Sequence, residues 1–408
     1  MENEAHPLKD KLPLPLMAAV SALPPLSIDM YLPAMPRMAE SLNTQISTIQ
    51  NSLSIFLVSF GLGMLLFGPL SDKYGRKPLA LFGLAGFCLT SFALALSPSA
   101  IPFLVFRFFQ GLLGSAATIT IPAMIRDCFG KDTARGMSTV TMIMLTAPLV
   151  APLIGSVLLA FSSWRSIFIL LAVYAFVVFV LILWKLPETL PRKEDEKEGE
   201  SEKESGRNIF VQNYLTIFST PSIYPYLMTF LFSSMAFFTY LTSAPFLYIT
   251  WFNLSEIAFG LLFTTTAASL ILANYINVRH VSRLGSQKML NLGLTGGLSA
   301  AIVLVLVVSL ELSFGWMAAC FFIIIGSLGI ISVNAESLIL LEFPNQASSA
   351  SAVARTLRFS TGALVGPLLA ITYTGTPMPI VVQIACAIIA ALLIQLWLHC
   401  LSGEKTGK

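Results

Sequence analysis

Charged residues are scarce in this sequence. Lysine, arginine, aspartate and glutamate together make up 11% of the 408 residues, whereas soluble domains contain about 25%. Hydrophobic residues make up 56%, and the mean hydropathy is +0.80. A soluble fold with this composition would leave large apolar patches facing water. The composition therefore excludes an ordinary soluble domain and requires a lipid environment.

Residues that commonly hold metals or carry out catalysis are also few. The three histidines and five cysteines are dispersed through the chain, and no C-x-x-C or similar metal-ligand spacing occurs. No nucleophile–base cluster is apparent, and the one long polar run is too short to fold as a sensor domain. We therefore expect no metal, no cofactor and no nucleic-acid partner, and we do not expect an enzyme.

Long apolar segments, by contrast, are numerous. A helix needs about twenty mostly apolar residues to cross a bilayer, and twelve such segments can be counted. The sequence therefore predicts an all-α membrane protein with twelve transmembrane helices. The first six segments fall near 12–35, 48–70, 78–97, 100–125, 136–160 and 165–186, and the second six near 222–250, 255–278, 287–310, 314–341, 348–373 and 378–401.

The polar run between the two sets has mixed charges and no periodic apolar face, which is typical of a solvated linker. It divides the chain into an N-terminal six-helix bundle (1–186), a cytoplasmic linker (187–221) and a C-terminal six-helix bundle (222–408). The first apolar segment contains Asp29, and four prolines fall between positions 23 and 36. We interpret it as a retained span and not as a cleaved signal.

The positions of lysine and arginine predict the orientation of the spans. If both termini are cytoplasmic, 21 of the 24 basic residues fall on the cytoplasmic side, as the positive-inside rule requires. Arg37 and Arg165 fall on the opposite side, and Arg107 falls within a span. An odd number of spans would not produce this alternation.

The two halves share local sequence. S-D-K-Y-G-R-K follows the second span and S-R-L-G-S-Q-K follows the eighth, which places Gly75 and Gly285 210 positions apart. Gly114-Ser115 in the fourth span matches Gly326-Ser327 in the tenth at a similar offset. Repeated offsets of this kind indicate duplication of a six-helix unit.

The most specific motif is G-P-L-S-D-K-Y-G-R-K-P-L, from Gly68 to Leu79. We expect Gly68 to permit a close helix contact, Gly75 to support a tight turn, and Arg76 and Lys77 to anchor the cytoplasmic face. The motif resembles the signature loop of the major facilitator superfamily, and the resemblance covers essentially the whole chain. It implies two six-helix bundles around a central cavity.

The same resemblance implies a conformational latch. In the family, the acid of this loop pairs with an arginine at the cytoplasmic end of the fourth helix. The matching residues here are Asp72 and Arg126. The pair would brace the two bundles in one conformation without contacting the substrate.

Two further motifs indicate the branch of the family. The fifth span contains A-P-L-V-A-P-L-I-G, with Pro148, Pro152 and Gly155, which resembles the motif of antiporters, although Ser156 replaces a second glycine. The first span contains S-I-D-M-Y-L-P-A-M-P, which is similar to the bicyclomycin-resistance (Bcr/CflA) branch of drug/proton antiporters.

Asp29, within that first-span motif, is the candidate for proton coupling. Its neighbours Leu26, Ile28, Met30 and Leu32 are apolar, so the carboxylate loses hydration and its neutral form is favoured. Such a group can bind a proton on one side of the membrane and release it on the other. Alternatively, Asp29 lies at the outer end of its helix, in solvent or as a cap.

Three other polar residues within apolar segments are candidates for coupling or substrate binding. Arg107 lies in the fourth span, where a charge costs at least about 3 kcal/mol on insertion scales, so it should face a cavity or a partner; alternatively, it extends to the nearer interface. Asn334 and Glu336 lie in the tenth span. Glu336 either binds substrate or protons, or pairs with Arg355 or Arg358.

The resemblance implies a proton-coupled exporter of small amphipathic molecules, including antibiotics, in the bacterial inner membrane. It would work by alternating access, as a monomer. The alternative is a transporter of the same fold for a natural metabolite, such as an amino acid, a sugar or a siderophore.

Overall fold

The computed structural model describes residues 13–129, 140, 144, 146–189, 216–343 and 347–406. These residues form helices joined by short connections, and none of them lies in a strand. The helices of the first half are Leu14–Ser21, Leu23–Asp29, Met35–Ser41, Ile46–Tyr74, Arg76–Ala95, Ala100–Thr118, Thr120–Phe129, Ala147–Phe161 and Arg165–Lys185, with a short 3₁₀ turn at Leu32–Ala34.

The second half follows the same plan. Its first helix continues into a π-helical turn, Phe246–Trp251. The helices of this half are Tyr224–Pro245, Glu256–Leu284, Ser286–Ser309, Phe314–Glu342, Ala347–Thr372 and Met378–Thr406, preceded by a 3₁₀ turn at Pro221–Ile223.

Ten helical segments of the described residues are long and apolar enough to cross a membrane. The fifth span is shorter, Ala147–Phe161, because part of the expected segment lies outside the described residues. The eleventh, Ala347–Thr372, is 26 residues long and contains two arginines. These segments account for the twelve spans, and the all-helical fold class is confirmed. Many large apolar side chains on the helices are exposed, as a lipid-facing surface requires.

The first span is broken into short pieces by its prolines. Proline lacks a backbone N–H and is tolerated only in the first turn of a helix. Each piece accordingly carries a proline at its first or second position. The main break falls at Met30 and Tyr31, directly after Asp29. The functional candidate of this span therefore lies at an interruption of the helix.

The backbone repeats the duplication seen in the sequence. Gly75 (φ 102°) and Gly285 (φ 81°) are single-residue junctions between consecutive helices. Asn43 (φ 48°) and Asn253 (φ 52°) also lie 210 positions apart, each after the first span of its half. Positive φ is rare outside glycine and asparagine. Two matching pairs at one offset support a duplicated six-helix unit.

The described residues divide into two compact units. The first contains spans one to six together with Thr242–Thr265 and Gly366–Ala370, from the seventh, eighth and eleventh spans. The second contains the described residues of 216–241, 266–365 and 371–406.

One expectation about the signature loop stays a prediction. A Cβ atom at Gly68 would meet no described atom within 4 Å, so the expected close helix contact is not found among the described residues. The turn at Gly75 is found as expected, because the residue adopts a positive φ between two helices.

Gly285→Ala should destabilise the protein through backbone strain alone. With φ 81° and ψ 155°, Gly285 occupies a region essentially restricted to glycine, and a Cβ there would meet nothing within 4 Å. We expect a cost of about 1–3 kcal/mol, seen as a lower melting temperature of the detergent-purified protein. Gly315→Ala is the control, because that helical glycine has equal room. Equal melting temperatures for the two variants would contradict the prediction.

Candidate functional site

Asp29 is buried at the end of its helix. It is 5% exposed, and Ile28 and Met30 on either side are buried as well. In the described part of the chain, its carboxylate forms no hydrogen bond and no ion pair. The structure therefore places Asp29 inside the first unit, and not in solvent at the outer helix end.

Arg107 is fully buried in the same unit, with an exposed fraction of 0%. Its Nη1 donates to the Gln110 Oε1 at 2.6 Å and to the Ser27 carbonyl oxygen at 3.3 Å. Its guanidinium carbon lies 4.4 Å from the ring centre of Tyr31 and 4.6 Å from that of Phe56. Arg107 therefore faces the bundle interior and does not extend to the interface.

Aromatic rings and a short polar chain hold this arginine in place. Phe103, Trp164 and Phe168 pack edge-to-face, with ring centres 5.4–6.0 Å apart. Gln110 continues the polar chain by donating from Nε2 to the Ser91 Oγ at 2.8 Å. Arg107 Nε and Nη2 have no acceptor among the described residues.

Arg107 contacts the backbone near Asp29, but the side chains of the two residues do not form an ion pair among the described residues. Arg107 reaches the carbonyl of Ser27, two residues before Asp29, and among the described residues no Arg107 nitrogen lies within 4 Å of a carboxylate oxygen. A carboxylate that is paired with arginine is held ionised. Without that pair, Asp29 can change its charge while Arg107 keeps its contacts.

The fifth span touches the backbone beside Asp29. A Cβ atom at Gly155 would overlap the carbonyl oxygen of Met30, so only glycine permits this approach. Pro152 lies inside the same helix and removes one of its hydrogen bonds. Ser156, the departure from the antiporter motif, donates its hydroxyl to the Pro152 carbonyl at 2.7 Å. Pro148 lies in the first turn of the helix, where proline is tolerated.

The opposite side of this helix meets the start of the eighth span, within the same compact unit. Ser156 Oγ would lie 2.5 Å from a Cβ placed at Gly260, and Thr264 Oγ1 donates to the Leu149 carbonyl at 2.9 Å. Two glycines thus allow the fifth span to contact both neighbours closely.

An ion pair that the sequence did not indicate lies at one end of this contact. Arg37 Nε is 2.6 Å from Glu256 Oε1, and Arg37 Nη1 donates to the Leu159 carbonyl at 3.0 Å. The Arg37 side chain is 48% exposed, so the pair contributes about 1 kcal/mol or less to stability. It joins the first, fifth and eighth spans of the first unit.

The two tenth-span candidates lie in the second unit. Asn334 is 1% exposed, and its Nδ2 donates to the Asn277 Oδ1 at 2.7 Å. Glu336 Oε1 lies 3.2 Å from Arg355 Nε, which is one of the pairings considered from the sequence. The hydrogen bond between Asn334 and Asn277 could not be predicted from the local sequence pattern, because the two residues are 57 positions apart.

The signature loop is held by an acid that the sequence analysis assigned to the linker. The Glu188 carboxylate accepts hydrogen bonds from the backbone N–H groups of Arg76 at 3.0 Å and Lys77 at 3.1 Å. It therefore caps the third span, where a negative charge is favourable. Lys77 Nζ also donates to the Leu183 carbonyl at 3.0 Å. These contacts tie the loop to the end of the sixth span.

The expected latch is not visible. The side chains of Asp72 and Arg126 lie outside the described residues, so their pairing stays a prediction. No group of three or more histidine, cysteine, aspartate or glutamate residues that could hold a metal occurs in the described ranges.

Comparisons with known proteins place this geometry in context. The model of the Major Facilitator Superfamily matches residues 17–367. A bicyclomycin resistance protein homolog of Haemophilus influenzae is 30% identical over 378 residues, covering 92% of this chain and 93% of that protein. A chloramphenicol resistance protein of Pseudomonas aeruginosa is 30% identical over 402 residues, covering 96% and 91%.

A solved structure shows the same fold. The crystal structure of a D-xylose-proton symporter aligns with a TM-score of 0.75, covering 95% of this chain and 97% of that chain. Because the sequences are only 15% identical, the alignment supports the arrangement of the helices and carries no information on the substrate.

Gly155→Ala should impair both folding and transport. The added methyl group must displace the Met30 backbone beside Asp29, which separates the first and fifth spans. We expect a lower melting temperature and loss of efflux activity at equal expression. Gly297→Ala is the control, because its Cβ would make only ordinary contacts of 3.4 Å or more. Wild-type behaviour of the Gly155 variant would show that the contact is unimportant.

Glu188→Ala should destabilise the signature loop, because two backbone N–H groups lose their acceptor. A lost helix cap costs about 0.5–2 kcal/mol, which thermal unfolding in detergent would detect. Thr189→Ala is the matched control, since the Thr189 hydroxyl has no hydrogen-bond partner among the described residues. If both variants melt at the wild-type temperature, the cap has no stabilising role.

Proposed function

This chain belongs to the Major Facilitator Superfamily, and we propose that it exports small amphipathic molecules in exchange for protons. It is a multi-pass membrane protein whose bacterial relatives include proteins named for bicyclomycin and chloramphenicol resistance. Those names support antibiotics as substrates. The observation that carries the proposal is the buried carboxylate of Asp29 at the break in the first span, which has no partner among the described residues.

Asp29 can serve as the proton carrier because nothing in its surroundings fixes its charge. In the described residues it has neither a cationic partner nor a hydrogen-bond donor, and burial penalises its ionised form. Arg107 supplies a fixed positive charge in the same bundle without neutralising the carboxylate.

The contact between Met30 and Gly155 provides a way to transmit a change at Asp29. Any movement of the first span at this break must displace the fifth helix, because their atoms already touch. The fifth helix in turn contacts the eighth at Gly260 and Thr264. Protonation of Asp29 would therefore alter the packing of three spans that the structure brings together.

Transport would proceed by alternating access of two six-helix bundles (1–186 and 222–408), joined by the linker 187–221. The proposed latch pairs Asp72, in the loop that also contains Gly68, Gly75, Arg76 and Lys77, with Arg126 at the cytoplasmic end of the fourth span. Asn334 and Glu336 are proposed to contribute to substrate binding or coupling in the second bundle. We further propose that the protein works in the inner membrane as a monomer. The distribution of its basic residues favours cytoplasmic termini.

Asp29→Asn should abolish proton-driven export while leaving the fold intact. Asparagine has the same shape but cannot release a proton, so the exchange cycle stops. The measurement is chloramphenicol uptake into inverted vesicles after a proton gradient is imposed. Glu311→Gln is the control, because it removes an acid from an exposed loop without touching the proposed site.

A second measurement tests the direction of coupling. Addition of chloramphenicol to proteoliposomes that contain the wild-type protein should move protons opposite to the drug, and the Asp29→Asn variant should show no pH change. Full transport by that variant would remove Asp29 from the coupling role. Proton movement in the same direction as the drug would indicate a symporter.

A further inference from the structure

Arg358 in the eleventh span has an unusual environment. Its guanidinium carbon lies 5.7 Å from the ring centres of both Phe230 and Phe237, in the seventh span. In the described part of the chain, no hydrogen-bond acceptor contacts its guanidinium group. Cation–π contacts of this kind orient the group without satisfying its N–H donors.

The charges around Arg358 do not balance. Glu336 and Arg355 both interact electrostatically with it, and these two residues form an ion pair with each other at 3.2 Å. Among the described residues, the cluster therefore contains two cations and one carboxylate inside a membrane-spanning bundle. An uncompensated charge there is costly, so one further anionic group would complete the cluster.

Arg358 is also accessible to such a group. Its side chain is half-buried, and that of its neighbour Arg355 is 54% exposed. Arg107 differs in both respects, because it is fully buried and hydrogen-bonded to Gln110. The arginine of the first unit, Arg107, is therefore fully buried, whereas Arg358 in the second unit is partly exposed.

We propose that Arg358 binds the carboxylate of aromatic anions that the protein transports. The planar guanidinium can donate two parallel hydrogen bonds to a carboxylate, and the partly exposed Phe237 offers an apolar face for the aromatic ring. Phe230, which is fully buried, supports Arg358 from behind. The negative charge of Glu336 acts on Arg358 and repels an anionic ligand, so it limits the affinity for anions. The proposal names a substrate class and rests on the transport function proposed above.

The test measures binding of salicylate and of its neutral analogue salicylamide to the full-length protein in phosphatidylcholine nanodiscs. Binding of each radiolabelled probe is followed by scintillation proximity, without a proton gradient. We expect the wild type to bind salicylate more tightly than salicylamide. Because no transport is required, this outcome can be obtained even if proton-driven export fails.

Arg358→Gln should weaken salicylate binding about tenfold or more, the value of a charge-assisted hydrogen-bonded pair, and should leave salicylamide binding unchanged. Arg358→Lys should restore part of the affinity. Glu336→Gln should strengthen salicylate binding, because the carboxylate that repels the anion is removed. A purely structural role of Glu336 would not produce this gain. Arg279→Gln is the control, since Arg279 also stacks on an aromatic ring, that of Tyr275 at 4.8 Å.

Three outcomes would overturn the proposal: equal or absent binding of the two probes by the wild type, an equal loss of both in Arg358→Gln, or no gain in Glu336→Gln. If Arg358→Gln does not fold, the wild-type comparison and the Glu336→Gln result decide. Repeating the assay in phosphatidylglycerol nanodiscs distinguishes the source of the anion. Unchanged salicylate affinity supports a soluble ligand. Much weaker salicylate binding in phosphatidylglycerol would show that the lipid headgroup occupies the site, and would contradict the proposal.

Discussion

The first unit depends on the contact between the Gly155 helix and the carbonyl of Met30. In the bilayer, a broken helix is tolerated only where protein surrounds the interrupted backbone. Gly155 lets the fifth span supply that cover, because any side chain at this position would overlap the carbonyl. The prolines break the first span and the glycine shields the break. Asp29 immediately precedes Met30, so its position depends on both the prolines and Gly155.

Arg107 is tolerated in this environment because uncharged groups of the bundle surround its positive charge. Insertion of an arginine into the bilayer costs at least about 3 kcal/mol. Here Gln110 and the Ser27 carbonyl accept its hydrogen bonds, and the rings of Tyr31 and Phe56 cover its faces. Cation–π contacts of a desolvated arginine are worth about 2 kcal/mol. Among the described residues, the arginine is thus held without an ion pair to Asp29, whose carboxylate stays able to titrate.

The sequence was sufficient to predict features that depend on local pattern, and insufficient for those that depend on a distant partner. Hydropathy indicated the spans, and the apolar neighbours of Asp29 indicated its burial. The role of Glu188 was missed because its partners are backbone N–H groups more than a hundred residues earlier. Glu256 was missed for the same reason, since nothing near it in the chain signals Arg37. The close contact expected at Gly68 also stays a prediction, because no described atom lies within 4 Å of a Cβ at this position.

Duplication preserved the backbone of the two halves but not their charges. Gly75 and Gly285 keep the same positive-φ junction. Among the described residues, however, the first unit has the unpaired acid Asp29 and the fully buried Arg107, whereas in the second Glu336 pairs with Arg355, and Arg358 is half-buried. If protons act at Asp29 and anions bind at Arg358, the two ligands do not compete for one residue. Coupling would then require a conformational change that both ligands bias, because neither can displace the other directly. A transporter of this kind could accept chemically different substrates while one carboxylate continues to carry the proton.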